Sequence, residues 1–234
     1  MAGYNKANYL IEFRFQGQAK KTIKNLIWDA DKACIIGNAK NRRPVPHITL
    51  VGSLSTNNEK KLIGVFNHIC SKYPLMSFTV VGFNTFEENR VMYIDIKPSS
   101  ELDDFRWQLS KELQNFCKLT LNDNNRKFYF HSTIAMNLSP QKFSCIKKYI
   151  GTKSKPNFEH FVVRATILKN GKILREYDFL LRRPLTRRYA KSRTTFRKTM
   201  FLLNEFFEGK FDPNKNTINE TKTLCEKIKS FFGA

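Results

Sequence analysis

His47-Ile48-Thr49-Leu50 and His131-Ser132-Thr133-Ile134 share one pattern, and the interpretation of the whole chain starts from them. Side chains of a β-strand alternate between its two faces, so a His and a Thr two positions apart leave the backbone on the same side. Each stretch therefore predicts an imidazole beside a hydroxyl. If the two strands face each other, two imidazoles and two hydroxyls line one cleft.

Apolar residues flank both motifs and predict that the motif strands are buried. β-Branched and aromatic side chains are enriched in such strands. The flanking residues are Val45, Ile48 and Leu50 for the first motif and Tyr129, Phe130, Ile134 and Met136 for the second.

This set of groups suits phosphoryl transfer without a metal ion. Imidazole titrates near neutral pH, so one ring can take a proton from the attacking oxygen while the other gives one to the leaving oxygen. Threonine hydroxyls can donate hydrogen bonds to the non-bridging phosphate oxygens. A single His-x-Thr also arises by chance, as an ordinary core or surface histidine. Two copies in equivalent contexts favour catalysis.

The segments before the two motifs are organised alike. A strand-like run at residues 9–15 and a helical pattern at 20–34 precede the first motif. A strand-like run at 91–96 and a helical pattern at 100–117 precede the second. Apolar residues recur at helical spacing in both helical segments. Strand, helix, His-x-Thr strand and a further helix thus occur twice, as expected for a duplicated lobe.

The paired motifs and the repeated order of elements resemble the 2H phosphoesterase superfamily, and most of all its RNA 2',3'-cyclic phosphodiesterases, also called 2'-5' RNA ligases. The resemblance spans roughly residues 8 to 181. It implies that His47 and His131 are catalytic, that Thr49 and Thr133 bind phosphate, and that no cofactor takes part. Two positions depart from the pattern: Phe130, where many relatives have proline, and Ser132, which is polar where the first motif has Ile48. Neither removes a catalytic group, so these departures bear on how the substrate fits and not on the chemistry.

These patterns predict an α+β fold of two pseudo-symmetric lobes. Each lobe is expected to be a mostly antiparallel sheet with outer helices, and the central cleft carries the two His-x-Thr motifs. The composition shifts towards basic residues at Arg182. We therefore predict a bilobal 2H phosphoesterase domain at residues 1–181 and a basic, helical C-terminal extension at residues 182–234.

The charge of the chain favours a polyanionic partner. It has 41 Lys and Arg against 20 Asp and Glu, a net charge of +21, and such a field attracts nucleic acid. A generally lysine-rich surface is the alternative interpretation. Residues 182–200 contain eight of the basic residues and no acid. This segment is predicted to contact RNA, or else to lie on an acidic surface of the same protein or of a partner.

Basic residues near the motifs and in this segment are the candidate RNA contacts. One pair precedes each motif and would give the cleft a basic entrance on both sides. The candidates are Arg42 and Arg43 before the first motif, Arg126 and Lys127 before the second, and Arg187, Arg188 and Arg193 in the C-terminal segment.

Further patterns complete the expected sheet. Strands at 158–168 and 173–181 are predicted to pair around Asn170-Gly171, the strongest short hairpin signal, with one face of the sheet in water. A connection at 84–90 joins two further strands, and Phe86 or Arg90 in it is a candidate nucleotide contact. His68 and His160 carry no motif and are read as surface or structural residues.

The cysteines and the hydropathy of the chain indicate in which cellular compartment we expect the protein. Five widely spaced cysteines without a metal-binding pattern predict free buried thiols, which fits a reducing cytoplasm. No apolar run approaches the roughly 20 residues that span a bilayer, and the polar first residues do not resemble a signal peptide. We expect a soluble cytoplasmic protein with no membrane partner.

The expected reaction is attack of water on a terminal 2',3'-cyclic phosphate of RNA. Attack by an RNA 5'-hydroxyl on the same phosphorus would form a 2'-5' linkage, and the sequence does not separate hydrolysis from ligation or assign the acid and the base. Two alternatives stay open. The fold could be a non-catalytic module that binds RNA ends or cyclic nucleotides, or a phosphodiesterase for small cyclic or 2'-5'-linked oligonucleotides.

Overall fold

The computed structural model describes residues 7–37, 44–213 and 215. Four of its helices begin at a polar residue, Asn58, Ser99, Ser139 or Ser192, whose side chain accepts a hydrogen bond from the first helical turn. The elements in chain order are β1 (Asn8–Arg14), α1 (Gly17–Ala33), β2 (His47–Ser55), α2 (Glu59–Lys72), β3 (Ser77–Phe86), β4 (Val91–Pro98), α3 (Ser100–Leu113), β5 (His131–Ala135), α4 (Pro140–Gly151), β6 (Phe158–Phe161), β7 (Arg164–Lys169), β8 (Lys172–Asp178), β9 (Arg183–Thr186), α5 (Arg187–Ala190) and α6 (Arg193–Phe207).

The strands form two antiparallel sheets. The first sheet has five strands in the order β2-β1-β7-β8-β9, and the second has four in the order β5-β4-β3-β6. This architecture confirms the predicted α+β class with mostly antiparallel sheets. The two sheets share one core, because the ring of Phe13 on β1 and the ring of Phe15 just after β1 contact Phe78 on β3 at centroid distances of 5.4 and 5.7 Å.

The strand predicted at 158–168 is in fact two strands in different sheets. β6 pairs with β3 in the second sheet, and β7 pairs with β1 and β8 in the first. The chain changes sheets at Val162 and Val163, which are fully buried. The prediction that one face of this strand meets water is also wrong, since every residue of β7 but the last is buried. Thr166, a polar residue of β7, is buried because it faces the carboxylate of Glu176 on β8.

Several element boundaries also differ from the prediction. β3 continues through Phe86, so the turn that follows it is shorter than the predicted connection at 84–90. Helix α3 ends at Leu113, before the predicted end at residue 117, and β8 ends at Asp178. Val45, Tyr129 and Met136 are exposed. The buried segment around each motif is therefore shorter than the apolar flanking residues predict.

The segment after residue 181 continues the first sheet. β9 pairs with β8, and the predicted helix is present as α6, whose Leu202 and Leu203 are buried. The division of the chain at residue 181 stays a prediction, and the start of the basic segment is part of the sheet that carries the first motif. The last part of the predicted helical extension, residues 216–234, lies outside the described residues.

Two of the cysteines form a disulfide, which corrects the prediction of free thiols. Cys34 and Cys145 are joined with their Cα atoms 5.8 Å apart. Cys34 follows α1 and Cys145 lies on α4, so the fold brings together residues 111 positions apart in sequence. Cys70 and Cys117 are free and buried, as predicted, and Cys225 lies outside the described residues. Among the described helices, none combines the length and the hydropathy needed to cross a membrane.

Candidate active site

Each motif lies on an edge strand. β2 is the first strand of one sheet and β5 the first strand of the other, and the two strands are neighbours in space. In both motifs the His and the Thr are half-buried, while the residue between them, Ile48 or Ser132, is buried. The predicted alternation is therefore present twice. The structure brings His47, Thr49, His131 and Thr133 to the junction of the two sheets.

Both motif imidazoles are held in the same way. Nδ1 of His47 lies 2.9 Å from the carbonyl oxygen of Val45, and Nδ1 of His131 lies 2.8 Å from that of Tyr129. A carbonyl oxygen only accepts hydrogen bonds, so Nδ1 of each ring carries the donated hydrogen. The neutral ring then has its lone pair on Nε2, which makes Nε2 the atom available for proton transfer.

Burial and the charge of His47 both act on the pKa of His131. Burial lowers the pKa of His131, and the charge of His47 lowers it further, whereas the Tyr129 carbonyl and the charge of Asp95 act in the opposite direction. Burial is the largest of these effects because a charged imidazole loses hydration when it leaves water. At neutral pH His131 therefore favours its neutral form, the form that can accept a proton.

A partly buried ion pair lies beside His47. Glu12 and Arg14 of β1 stand opposite Thr49 and His47 in the register of the two strands. Glu12 is almost fully buried and forms an ion pair with Arg14. Its other carboxylate oxygen lies 3.8 Å from Nε2 of His47. A carboxylate at this distance attracts a proton carried by the ring.

Aromatic rings surround His131 instead. Tyr93 and Asp95 of β4 stand opposite Thr133 and His131, the positions that Glu12 and Arg14 occupy in the other sheet. Phe86 stacks on Tyr93 with ring centroids 4.3 Å apart, and its ring meets the His131 ring edge-on at 5.2 Å. Phe86, a candidate nucleotide contact in the sequence, thus lies at the site, whereas Arg90 donates from Nε to the carbonyl of Leu138.

A single buried arginine connects the approaches to both motifs. The guanidinium of Arg106, on α3, donates to the carbonyl of Leu50 in the first motif and to those of Asn122, Asp123 and Asn125 in the loop before β5. It is fully buried, with the ring of Phe128 at 4.0 Å. The carboxylate of Asp123, in turn, accepts from the N–H of Gly52 on β2. These bonds fix β2 relative to the segment that leads to His131.

Gly52 allows this connection because it has no side chain. A Cβ atom at residue 52 would lie 3.1 Å from the carboxylate oxygen of Asp123. The backbone of β2 therefore approaches Asp123 more closely than most residues would permit.

The candidate RNA contacts have different surroundings. Arg42 and Arg43 lie outside the described residues. Arg126 forms an ion pair with Asp103 and lies over the ring of Trp107, 5.9 Å from its centroid, so its charge is engaged on helix α3. Lys127 is exposed. The remaining candidates, Arg187, Arg188 and Arg193, are exposed on α5 and at the start of α6.

The two histidines without a motif lie apart from this site. His68 is exposed on α2. The ring of His160 packs against Phe13, Phe15 and Phe78, and burial lowers its pKa to about 4. Its Nε2 is buried without a hydrogen-bond partner in the structure. His160 is half-buried and packs on the aromatic core, which favours the structural role among the two interpretations that the sequence left open.

Sequence reasoning missed the neighbours of the motif histidines. The run Tyr9–Phe15 was interpreted only as a strand, although Glu12 and Arg14 interrupt its apolar residues at alternate positions. Two polar residues on one face of an otherwise buried strand indicate a polar surface there. The same signal is present on β4, where Tyr93 and Asp95 alternate with apolar residues.

Comparisons with known proteins place the chain beside the predicted family. The family model described as the 2'-5' RNA ligase superfamily matches residues 32–172. No curated protein matches the chain. Three similar solved structures are a phosphoesterase (15% identity, TM-score 0.45, covering 72% of this chain and 93% of that one), E. coli LigT complexed with NADP+ (15%, 0.45, 77% and 94%) and Kluyveromyces marxianus Usb1 with uridine monophosphate (10%, 0.44, 72% and 96%).

Proposed function

The chain belongs to the 2'-5' RNA ligase superfamily, and on that premise we propose that it is a metal-independent RNA phosphoesterase that opens terminal 2',3'-cyclic phosphates. The observation that carries the proposal is the matched pair of imidazoles, each held through Nδ1 by a carbonyl and each offering Nε2. Two such rings at one junction supply the base and the acid that ring opening requires.

In the proposed reaction His131 is the base and His47 the acid. Water attacks the phosphorus and gives a proton to Nε2 of His131, the ring whose pKa is lowered. One of the two ribose P–O bonds breaks, and the leaving oxygen takes a proton from Nε2 of His47. The carboxylate of Glu12 lies 3.8 Å from that atom. Thr49 and Thr133 donate to the non-bridging oxygens, where charge increases.

The same machinery with a different nucleophile would join RNA ends. An RNA 5'-hydroxyl in place of water would attack the cyclic phosphate and form a 2'-5' linkage, with the proton transfers unchanged. We propose RNA with a 2',3'-cyclic phosphate or a 2'-5' linkage as the substrate class. The cytoplasmic location stays a prediction, which fractionation of cells that express the full chain would test.

Hydrolysis of a short RNA that ends in a 2',3'-cyclic phosphate, measured with EDTA present, tests the proposal. We expect turnover, and a loss of about 10²- to 10⁴-fold in kcat for His47→Ala and for His131→Ala. His68→Ala, in the exposed histidine of α2, is the matched control and should keep full activity. Tight binding of the RNA without turnover would instead assign the chain to non-catalytic RNA-end binding. Turnover that EDTA abolishes would contradict a metal-independent reaction.

A further inference from the structure

A basic groove lies beside the first motif and is separate from the junction of the two sheets. It has a volume of about 320 Å³ and runs between the start of α1 and the start of α6. None of its lining residues is acidic, and four are basic. The residues that line the groove include Gln16, Lys20, Lys191, Arg193, Phe196 and Arg197.

Contacts on the first sheet hold this groove in place. Arg164 of β7 forms ion pairs with Asp178 and Glu176 of β8, and its guanidinium donates to Thr199 of α6 at 2.6 Å and to the carbonyl of Ala190. These side chains are buried. The basic segment is therefore attached to the polar face of the sheet, and its charged residues have a defined position relative to β1.

The groove begins next to the candidate active site. Arg14 stands opposite His47 in the strand register, and Gln16 of the groove follows Arg14 by two residues. Two extended residues span about 7 Å. A nucleic-acid strand that leaves the candidate active site past Arg14 would therefore enter the groove directly.

The cations of the groove face outward. On α6, Thr195 and Thr199 are buried towards the sheet, while Arg193 and Arg197 are exposed. Lys20 of α1 and Lys191 are also exposed, and none of these four side chains forms an ion pair with another residue in the part of the chain that the structure describes. The neighbouring ring of Tyr189 is 53% exposed. Unpaired cations with an accessible aromatic ring are the features that bind single-stranded nucleic acid.

We propose that this groove binds the RNA strand that leads to the reacting terminal phosphate. The inference rests on the proposed function and names its substrate class: an RNA end several nucleotides long, and not a mononucleotide. Lys20, Arg193 and Arg197 bind phosphates along the strand. An acidic protein segment is the competing partner, and the experiment below separates the two.

The test compares two triple variants of the full chain. Lys20→Gln/Arg193→Gln/Arg197→Gln removes the groove charges. Lys60→Gln/Lys111→Gln/Lys148→Gln removes the same charge from exposed positions on α2, α3 and α4. Affinity for an RNA decamer with a 3'-phosphate is measured by fluorescence anisotropy across a salt series.

Loss of three phosphate contacts lowers the salt slope by about 2. Between about 50 and 200 mM salt, the affinity of the native protein should therefore fall roughly twentyfold more than that of the groove variant. The control variant should match the native protein. Equal slopes for the two variants would overturn the proposal, as would a polyglutamate peptide that binds the native protein as tightly as the RNA and loses its affinity in the groove variant.

Turnover measurements on two substrates show whether the groove proposal or the proposed activity is wrong. We expect the groove variant to hydrolyse a 2',3'-cyclic mononucleotide as fast as the native protein and to lose kcat/KM only on the decamer that ends in a cyclic phosphate. Equal losses on both substrates would overturn the groove proposal. Absence of turnover on both by the native protein would refute the proposed activity, and the anisotropy result would still decide the groove.

Discussion

The surroundings of His47 and of His131 occupy equivalent positions in two sheets and differ in chemistry. In each sheet the neighbouring strand places one residue opposite the Thr and one opposite the His, Glu12 and Arg14 in the first sheet and Tyr93 and Asp95 in the second. The first pair is an ion pair whose carboxylate is buried, whereas in the second Tyr93 stacks on Phe86 and Asp95 carries a charge that acts on His131. Duplicated backbone geometry thus supplies two similar rings, and the neighbouring strand gives each ring different surroundings.

The difference is useful because an acid and a base are needed at the same pH. Two identical imidazoles would compete for one proton, whereas burial lowers the pKa of His131 and so favours the neutral form of that ring, the form that accepts a proton. The predictions below test what the two sites share and what separates them.

Arg106 is shared by both sites, so its loss should have the largest effect. Arg106→Met leaves Asp123 and several carbonyls buried without their partner, and we expect a loss of about 3–5 kcal/mol in the free energy of unfolding. Arg126→Met, in the exposed pair with Asp103, is the matched control and should cost at most about 1 kcal/mol. Urea unfolding measures both. Similar losses in the two variants would show that Arg106 does not hold the motif strands together.

The two threonines should contribute equally if the sites are equivalent towards phosphate. Thr49→Val and Thr133→Val each remove one hydroxyl donor, and each should lower kcat/KM by about 100-fold. Thr→Ser at the same positions keeps the donor and serves as the control. Steady-state kinetics on the cyclic-phosphate RNA is the measurement. A large loss at one threonine and none at the other would mean that only one motif contacts the phosphate.

His160 should affect stability and leave activity unchanged, in contrast to the motif histidines. Its pKa in the folded protein, about 4, is below the value near 6.5 of an exposed histidine. Between these values the unfolded chain binds the extra proton, so stability falls as the pH falls.

We therefore expect His160→Phe to remove about 2 kcal/mol of the stability lost between pH 7 and pH 5. Urea midpoints at the two pH values measure this effect, and turnover at pH 7 should be native. A pH dependence identical to that of the native protein would show that His160 is not buried in its neutral form.

The carboxylates beside the two rings should give the smallest and most specific effects. Glu12→Gln removes the charge next to His47, and we expect kcat to fall about tenfold with little change in KM, because this charge assists only proton transfer. Asp95→Asn removes a charge that raises the pKa of His131. The acidic limb of kcat/KM should then move to lower pH, with the plateau unchanged. A shift of this limb to higher pH would contradict the assignment of His131 as the base.

Local patterns predicted the motif strands and the helices because both depend on short-range spacing. The alternation in His47-Ile48-Thr49 and the helical spacing of apolar residues at 20–34 and 100–117 are visible in the sequence, and the structure has β2, α1 and α3 there. Family membership followed from the same two motifs. These features require no knowledge of which strands pair.

Apart from element boundaries, the misses depend on contacts between distant residues. Val162 and Val163 carry the chain from one sheet to the other, and a continuous apolar run cannot show that change. The Cys34–Cys145 bond joins residues 111 positions apart. The contact between Glu12 and His47 depends on the register of β1 with β2. The link that Arg106 makes between the two motifs depends on the packing of α3 against the segments that carry both motifs.

The most direct test of the account is a crystal structure of the protein with a bound nucleoside vanadate, a mimic of phosphorus under attack. The account predicts Nε2 of His47 and Nε2 of His131 within about 3.2 Å of two opposite oxygens of the same vanadate. It also predicts that both threonine hydroxyls contact the equatorial oxygens. A vanadate bound by one ring alone, or held elsewhere with the two rings apart, would contradict the central claim that both imidazoles act on one phosphorus.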